Sequence, residues 1–366
     1  MRPPLRQSLA VLTLLLAPWL GEARPQTQAP RTEPAQEAAQ ALPRVRLLAT
    51  GGTISNRAGG RLTAEELVKS LTGLERHAQP EYEQFANVAS SALTLRQWLE
   101  LSRRINTLFA DDPGLAGIVV TSGTDTLEET AYFLHLTVRS DRPVVVVGSM
   151  RNPSTLGYEG AANLLAGFRV AADPAARGKG VLVVLNDEIN SAREVTKTDA
   201  LRLDTFDTRG YGVLGVVDAD RIAWYRATTR RHTSASEFDI GAIDDLPRVD
   251  IVMVYQGADG DTIRALVDQG AKGIVIASAG AGAISGTQGQ AIRYAIEKGV
   301  FVVTSTRSGS GRIAARQRPV ADGVERPPTF RIAAEDLAPL KARILLMLAL
   351  TKTDDGHEIQ RMFMEY

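Results

Sequence analysis

Short apolar runs rich in Val and Ile recur along the chain, and they constrain its fold more than any other feature. Segments with helical periodicity separate these runs. Continuous apolar strands that alternate with helices are typical of a parallel sheet covered on both faces. The runs cover residues 45–49, 117–121, 144–148, 181–186, 250–255, 273–278 and 300–305. The sequence therefore predicts an α/β protein of two domains: a larger N-terminal domain built on a parallel sheet, and a smaller α/β C-terminal domain.

Local signals add detail to this outline. Thr63 with Glu66, and Thr126 with Glu129, have the spacing of a capping box, so we expect a helix to begin at each threonine. Two apolar runs within 213–226 flank a short polar turn and predict a β-hairpin at the end of the first domain.

The composition changes along the chain in a way that suggests its boundaries. Residues 1–23 start with positive charge, continue into a short apolar stretch and end in small residues, which is the pattern of a signal peptide. Residues 24–43 are rich in Pro, Gln and Ala and predict a disordered linker. We expect the first domain over 44–235, an interdomain linker over 236–249 and the second domain over 250–366. The expected location is periplasmic or secreted, with no membrane in the mature form; an uncleaved N-terminal anchor is the alternative.

Composition and charge exclude several classes of function. The chain of 366 residues has no cysteine, which excludes thiolate metal sites, iron–sulfur clusters, thiol catalysis and disulfides. Its four histidines lie far apart, without metal-ligand spacing. Basic and acidic residues number 42 each, so the basic surplus of a nucleic-acid binder is missing. We expect no metal, no cofactor and no nucleic-acid partner, and a small-molecule substrate.

The loop after the first predicted strand has residues suited to attack on a carbonyl. It reads ATGGTI, and Thr53 follows Gly51 and Gly52. Glycines allow a sharp turn, and we expect their amides to face inward as an anion cradle beside the Thr53 hydroxyl. Ordinary turn geometry is the competing interpretation, whereas the lysine of a Walker phosphate loop is missing.

Two further polar segments follow later strands. Residues 121–130, TSGTDTLEET, carry Thr124 and Asp125 directly before a helix, where the aspartate could also be a simple cap. Residues 192–200, AREVTKTDA, carry Lys197, which could be either a base beside hydroxyls or a solvated side chain. Open α/β sheets bind ligands at the carboxyl ends of their strands, so we expect these loops to meet there.

These segments, in this order and spacing, resemble the bacterial-type L-asparaginase/glutaminase family, and in particular its periplasmic type II members. ATGGTI, GTDT and the downstream TKT form the signature, and residues 142–164, 180–200 and 341–350 are also similar. The resemblance extends over roughly 45–366. It implies hydrolysis of L-asparagine to L-aspartate and ammonia by an amidohydrolase that needs no cofactor.

The resemblance also implies roles for individual residues. Thr53 corresponds to the nucleophile, and Lys197 would activate Thr124 with Asp125 nearby. The reaction would pass through an acyl-enzyme or through a directly attacking water. Asp125 would also hold the α-ammonium of the substrate, and Ser90 its α-carboxylate.

Departures from the family pattern concern the rest of the pocket. Ser91 stands where relatives often carry Gln or Glu, and it lines the expected substrate pocket together with Gly123. The loop over 55–67 lacks the tyrosine that many members place there; Arg57 or Tyr158 is a candidate replacement.

The second domain of the family usually lends an asparagine and a glutamate to the site of a neighbouring subunit. The asparagine position falls near Gly257, with Asp259 close by, and the glutamate position near Glu325 or Asp322. The resemblance implies a homotetramer built as a dimer of intimate dimers.

Three other functions stay open at this stage. A glutaminase-asparaginase of broad specificity differs from an asparaginase by one methylene of substrate. An exported amino-acid-binding protein without turnover is compatible with the missing loop tyrosine. An amidase subunit that acts on charged tRNA is disfavoured by the export signal and the zero net charge.

Overall fold

The computed structural model describes residues 41–315 and 329–366. Within it, Leu42–Tyr366 forms one compact unit. The predicted signal peptide (1–23) and nearly all of the predicted linker lie outside the described residues. In the part of the chain that the structure describes, no helix has the length and apolar character needed to cross a bilayer.

Strands and helices alternate through most of the described chain. The helices are α1 Ala64–Lys69, α2 Leu95–Asp111, α3 Leu127–Thr137, α4 Gly160–Ala172, α5 Asp261–Asp268, α6 Gln288–Glu297, α7 Pro339–Ala349 and α8 Gly356–Glu365. The strands of the first half are β1 Arg44–Gly51, β2 Asn56–Arg57, β3 Gly60–Arg61, β4 Gln79–Val88, β5 Leu115–Thr121, β6 Val144–Val147, β7 Val181–Leu185 and β8 Glu188–Ser191. The strands of the second half are β9 Thr196–Lys197, β10 Phe206–Asp207, β11 Gly215–Val217, β12 Ile222–Trp224, β13 Val249–Met253, β14 Gly273–Ser278, β15 Phe301–Thr306 and β16 Arg331–Ala333.

The first sheet has eight strands in the order β12-β11-β8-β7-β6-β5-β1-β4. The strands from β4 to β7 are parallel, as the apolar runs predict, because helices cover both of their faces. From β7 onward the pairing is antiparallel, so the sheet is mixed and not wholly parallel. The predicted hairpin is confirmed as β11 and β12. Strand β4 was not predicted, because as an edge strand it has no fully buried residue and carries two charged ones, Glu81 and Glu83.

The second sheet contains four parallel strands in the order β13-β14-β15-β16. Its core is continuous with that of the first sheet, because Phe133 on α3 and Leu345 on α7 belong to the same buried cluster. Phe238 and Ile240, within the predicted linker 236–249, are 1% and 2% exposed and join that cluster. The connecting segment therefore packs between the two sheet regions.

One of the two expected capping boxes forms. Thr63 Oγ1 accepts a hydrogen bond from the Glu66 amide at 3.2 Å, and the Glu66 carboxylate accepts one from the Thr63 amide at 2.8 Å. Thr126 occupies the N-cap of α3, so the predicted helix start is confirmed, but its side chain makes no capping hydrogen bond, and the predicted capping box is wrong. Glu129 lies within 4.0 Å of Arg343 on α7 instead, because tertiary packing competes with the local motif.

His135 is a fully buried histidine on the inner face of α3. Its Nδ1 accepts a hydrogen bond from the Val181 amide at 3.1 Å, which leaves the proton on Nε2, and that buried atom has no hydrogen-bond partner among the described residues. Burial, together with the neighbouring His232, holds the pKa of His135 well below its usual value. The folded protein therefore disfavours a charged ring here.

This burial predicts an acid-sensitive stability. Below about pH 6.5 the unfolded chain binds a proton at His135 that the folded chain rejects, so stability is lost as the pH falls. Between pH 7 and pH 5 we expect this one group to lower the free energy of unfolding by up to about 2 kcal/mol. Urea unfolding of wild type and His135→Asn at both pH values measures the difference. An equal pH dependence in both proteins would refute this origin.

Candidate active site

Three loops meet at the carboxyl edge of the first sheet. Gly52, with φ +89°, packs so closely against Gly123 that a β-carbon would overlap the backbone of the second loop. A β-carbon on Gly123 would in turn lie 2.8 Å from Ser90 Oγ. Ser90 is buried in the turn after β4, whereas the neighbouring Ser91 is exposed. The loops after β1, β5 and β4 are therefore in contact, as their positions in the sheet require.

Hydrogen bonds fix the base of these loops. Thr50 Oγ1 donates to the Thr121 carbonyl at 2.6 Å, and the Thr50 amide donates to Thr121 Oγ1 at 3.2 Å, which joins the ends of β1 and β5. The Gly52 amide donates to the Val88 carbonyl at 2.9 Å. Because this amide is occupied by a neighbouring strand, the expectation that Gly51 and Gly52 both present free amides is wrong for Gly52.

Thr53 opens a short 3-10 turn directly after these glycines. Its side chain is half-buried, and its hydroxyl makes no hydrogen bond to any of the described residues. The Tyr158 hydroxyl donates to the Ile54 carbonyl at 2.9 Å, and burial raises the pKa of Tyr158, which keeps this donor protonated. Tyr158 thus reaches the loop but binds the backbone beside Thr53, not the Thr53 hydroxyl.

The small hairpin that follows Thr53 lies against two other elements. Arg57 pairs with Glu66 of α1 at 3.0 Å, so its guanidinium is engaged by that carboxylate. The Ala58 amide donates to Ser154 Oγ at 2.9 Å. Of the two candidate replacements for a loop tyrosine, only Tyr158 contacts the turn that carries Thr53.

Lys197, in the segment 192–200, contacts the segment 121–130 at this edge of the sheet. Its Nζ donates to Thr124 Oγ1 at 3.0 Å and to Asp125 Oδ1 at 2.8 Å. The lysine side chain is 15% exposed and Thr124 is buried, whereas the aspartate side chain is 77% exposed and can accept a ligand from solvent. The structure therefore brings the amine of Lys197 to the hydroxyl and the carboxylate of the earlier segment 121–130.

Glu128 is a residue of this site that sequence reasoning missed. Its Oε1 accepts hydrogen bonds from the Lys197 amide at 3.2 Å and from Thr196 Oγ1 at 3.0 Å, and the residue is buried. Glu128 follows Thr124 by four residues and lies in the first turn of α3, whereas Thr124 lies in the turn before that helix. That spacing was the available signal.

The described second-domain positions have hydrogen-bond partners outside this network. Gly257 follows β13 with φ +81°, and its amide donates to Ser285 Oγ at 3.1 Å. Asp259 accepts a hydrogen bond from the amide two residues later, at 3.1 Å. Glu325 and Asp322 lie outside the described residues.

This fold and this site define a class: α/β enzymes that place hydroxyls, a carboxylate and an amine at the carboxyl edge of a parallel sheet. An amine hydrogen-bonded to a hydroxyl is an arrangement that activates oxygen nucleophiles. The chain belongs to the asparaginase family. Residues 44–230 match the family model described as Asparaginase, N-terminal, and residues 248–363 match the Glutaminase/Asparaginase C-terminal domain.

Individual relatives are similar over nearly their full length. The chain is 44% identical over 335 residues to the protein named L-asparaginase 2 of Bacillus subtilis, covering 89% of this chain and 87% of the relative. It is 39% identical over 337 residues to the glutaminase-asparaginase of Pseudomonas fluorescens, covering 89% and 91%. The crystal structure of a probable cytoplasmic L-asparaginase from Campylobacter jejuni matches with a TM-score of 0.79 and 40% identity, covering 89% of this chain and 100% of that one.

Proposed function

We propose that this chain hydrolyses L-asparagine to L-aspartate and ammonia, with Thr53 as the nucleophile. One observation carries the proposal: Lys197 Nζ lies 3.0 Å from Thr124 Oγ1 at the edge where the Thr53 loop contacts Gly123. A threonine hydroxyl is a weak nucleophile at neutral pH and needs a neighbouring base. The Thr53 hydroxyl, which has no hydrogen-bond partner among the described residues, and the Lys197–Thr124 pair supply the two parts of such an arrangement.

The reaction proceeds by transfer of protons along this pair. In its neutral amine form, Lys197 accepts the proton of Thr124 Oγ1 while Thr124 accepts that of Thr53, whose oxygen bonds to the side-chain carboxamide carbon. The carbon–nitrogen bond then breaks, and the nitrogen takes the proton back and leaves as ammonia. Water hydrolyses the resulting ester to aspartate and restores the Thr53 hydroxyl.

The loops at the carboxyl edge of the first sheet also bind the substrate. Asp125 is exposed and ionisable, so its carboxylate binds the α-ammonium of the substrate by a charge-assisted hydrogen bond. Ser90, whose hydroxyl makes no hydrogen bond within the described part of the chain, binds the α-carboxylate, and Ser91 with Gly123 completes the pocket.

Glutamine is the second candidate substrate, since one relative is named L-asparaginase 2 and another glutaminase-asparaginase. The two amides differ by one methylene, which a pocket distinguishes by only about 1–3 kcal/mol. The pattern of residues 1–23 supports a periplasmic or secreted location, and we propose the homotetramer of the family as the assembly.

A product assay tests the proposal. Purified protein is incubated with L-asparagine, L-glutamine and N-acetyl-L-asparagine, and ammonia and the amino-acid product are quantified. We expect equal amounts of ammonia and aspartate from asparagine, and little turnover of the acetylated compound because it lacks the ammonium that Asp125 binds. Binding of asparagine without ammonia release would reject the proposed hydrolysis and favour an amino-acid-binding protein.

Tyr158 is expected to support turnover by holding the loop of the nucleophile. In Tyr158→Phe the Ile54 carbonyl loses its donor, so the turn that carries Thr53 is less well placed and kcat falls roughly tenfold. The lost hydrogen bond also lowers the free energy of unfolding by about 1 kcal/mol. Steady-state kinetics checks the effect. Tyr225→Phe, at a side chain exposed to solvent, is the matched control, and equal kcat values in both variants would contradict it.

A further inference from the structure

Helix α7, in the C-terminal family region, sends a buried lysine toward the candidate site. Lys341 is 2% exposed, and its Nζ donates to the Arg193 carbonyl at 3.0 Å and to the Val195 carbonyl. These carbonyls belong to the segment that leads directly into β9, the strand that carries Lys197. An amine from the second half of the chain thus holds the backbone before the candidate catalytic lysine.

Glu128 holds the same strand from the side of α3. Its Oε1 accepts from Thr196 Oγ1 and from the Lys197 amide, and its Oε2 lies 3.9 Å from Lys341 Nζ. Glu128 and Lys341 therefore form a buried ion pair in which Glu128 binds the strand and Lys341 binds the backbone just before it. The strand contributes the Thr196 hydroxyl and the Lys197 amide to the contacts with Glu128.

Stability alone is a poor reason for such a pair. Removing two charges from water costs free energy, and apolar residues of similar volume often replace buried ion pairs without loss of stability. Burial lowers the pKa of Lys341 to about 8, with Glu128 and Glu194 acting against this and Arg193 adding to it. The more informative feature is the place of the pair, next to the backbone of Lys197.

We propose that Lys341 and Glu128 are positioning residues that set Lys197 Nζ against Thr124, so that the C-terminal region controls the candidate catalytic lysine. The inference rests on the proposed function only in assigning Lys197 to the reaction. Loss of either residue lets the strand shift, and because the amine must lie within hydrogen-bond distance of Thr124, a shift of about 1 Å weakens proton transfer.

Two readouts test the proposal on the full chain. In Lys341→Met we expect kcat for L-asparagine to fall about ten- to a hundredfold with KM changed less than about threefold, since the substrate contacts stay in place. Hydrogen exchange of the Lys197 amide should rise as its acceptor moves. Glu128→Ala should act in the same way, whereas Glu128→Gln keeps an acceptor oxygen and should restore most of kcat and of the amide protection.

Arg343→Met is the matched control, because Arg343 forms the neighbouring α7–α3 contact with Glu129 without touching the strand of Lys197. We expect it to lower stability while kcat and exchange of the Lys197 amide stay as in wild type. Wild-type kcat and exchange in both Lys341→Met and Glu128→Ala would overturn the inference, as would equal changes in Arg343→Met. If Lys341→Met does not fold, the comparison of Glu128→Ala with Glu128→Gln decides. If the wild type releases no ammonia, the proposed function fails, and the exchange measurement still decides the inference.

Discussion

The substitution Thr53→Ala is expected to lower kcat for L-asparagine by at least about 10⁴-fold. The variant lacks the oxygen that bonds to the carboxamide carbon, and loss of a nucleophile from an interdependent set of catalytic groups removes most of the rate enhancement. Binding contacts at Ser90 and Asp125 stay, so the affinity for asparagine should change little. Ammonia release and isothermal titration with asparagine measure the two effects separately.

Two further variants separate chemistry from folding. Thr53→Ser keeps a hydroxyl and should retain measurable turnover. Thr63→Ala removes the capping box of α1 and should lower the free energy of unfolding by about 1 kcal/mol without changing kcat. Equal ammonia release by wild type and Thr53→Ala would show that this hydroxyl is not the nucleophile.

The substitution Lys197→Met is expected to lower kcat by about 10²–10⁴-fold, which is the range of general-base contributions. The methionine side chain is similar in length to lysine but cannot take a proton from Thr124, with which Lys197 now makes a hydrogen bond of 3.0 Å. Asp125 loses its ion pair with Lys197 but keeps the carboxylate that binds the substrate ammonium. KM should therefore change less than kcat. Steady-state kinetics with asparagine provides the measurement.

A double-mutant cycle sharpens this second prediction. If Lys197 acts through Thr124, the loss in Thr124→Ala combined with Lys197→Met should be far smaller than the product of the single losses. Lys179→Met is the control, since Lys179 lies over the Trp224 ring, away from the candidate site. Independent, multiplying losses in the double variant would contradict the proposed relay.

The core strands could be predicted because burial on both faces leaves a local trace. Val144–Val147, for example, consists of four buried valines, and such a run has few other stable environments. Strand β4 left no such trace, because an edge strand is half-exposed and tolerates charges. The capping box predicted at Thr126 did not form for the opposite reason. Its motif is local, but the packing of α3 against α7 places Glu129 beside Arg343.

The sequence by itself determined which residue types could do the chemistry: hydroxyls, one amine and carboxylates, in loops that follow strands of a parallel sheet. Thr53 and Thr124 follow parallel strands, whose carboxyl ends lie at one edge of the sheet, so the sequence places these two residues together. Lys197 follows the antiparallel strand β8, and this argument does not reach it. Only the tertiary structure decided which atoms meet. Three contacts depend on packing between segments far apart in the chain: the hydrogen bond of Lys197 to Thr124, that of the Gly52 amide to β4, and that of Lys341 to the backbone just before the strand of Lys197. Such packing has no local signature in the sequence.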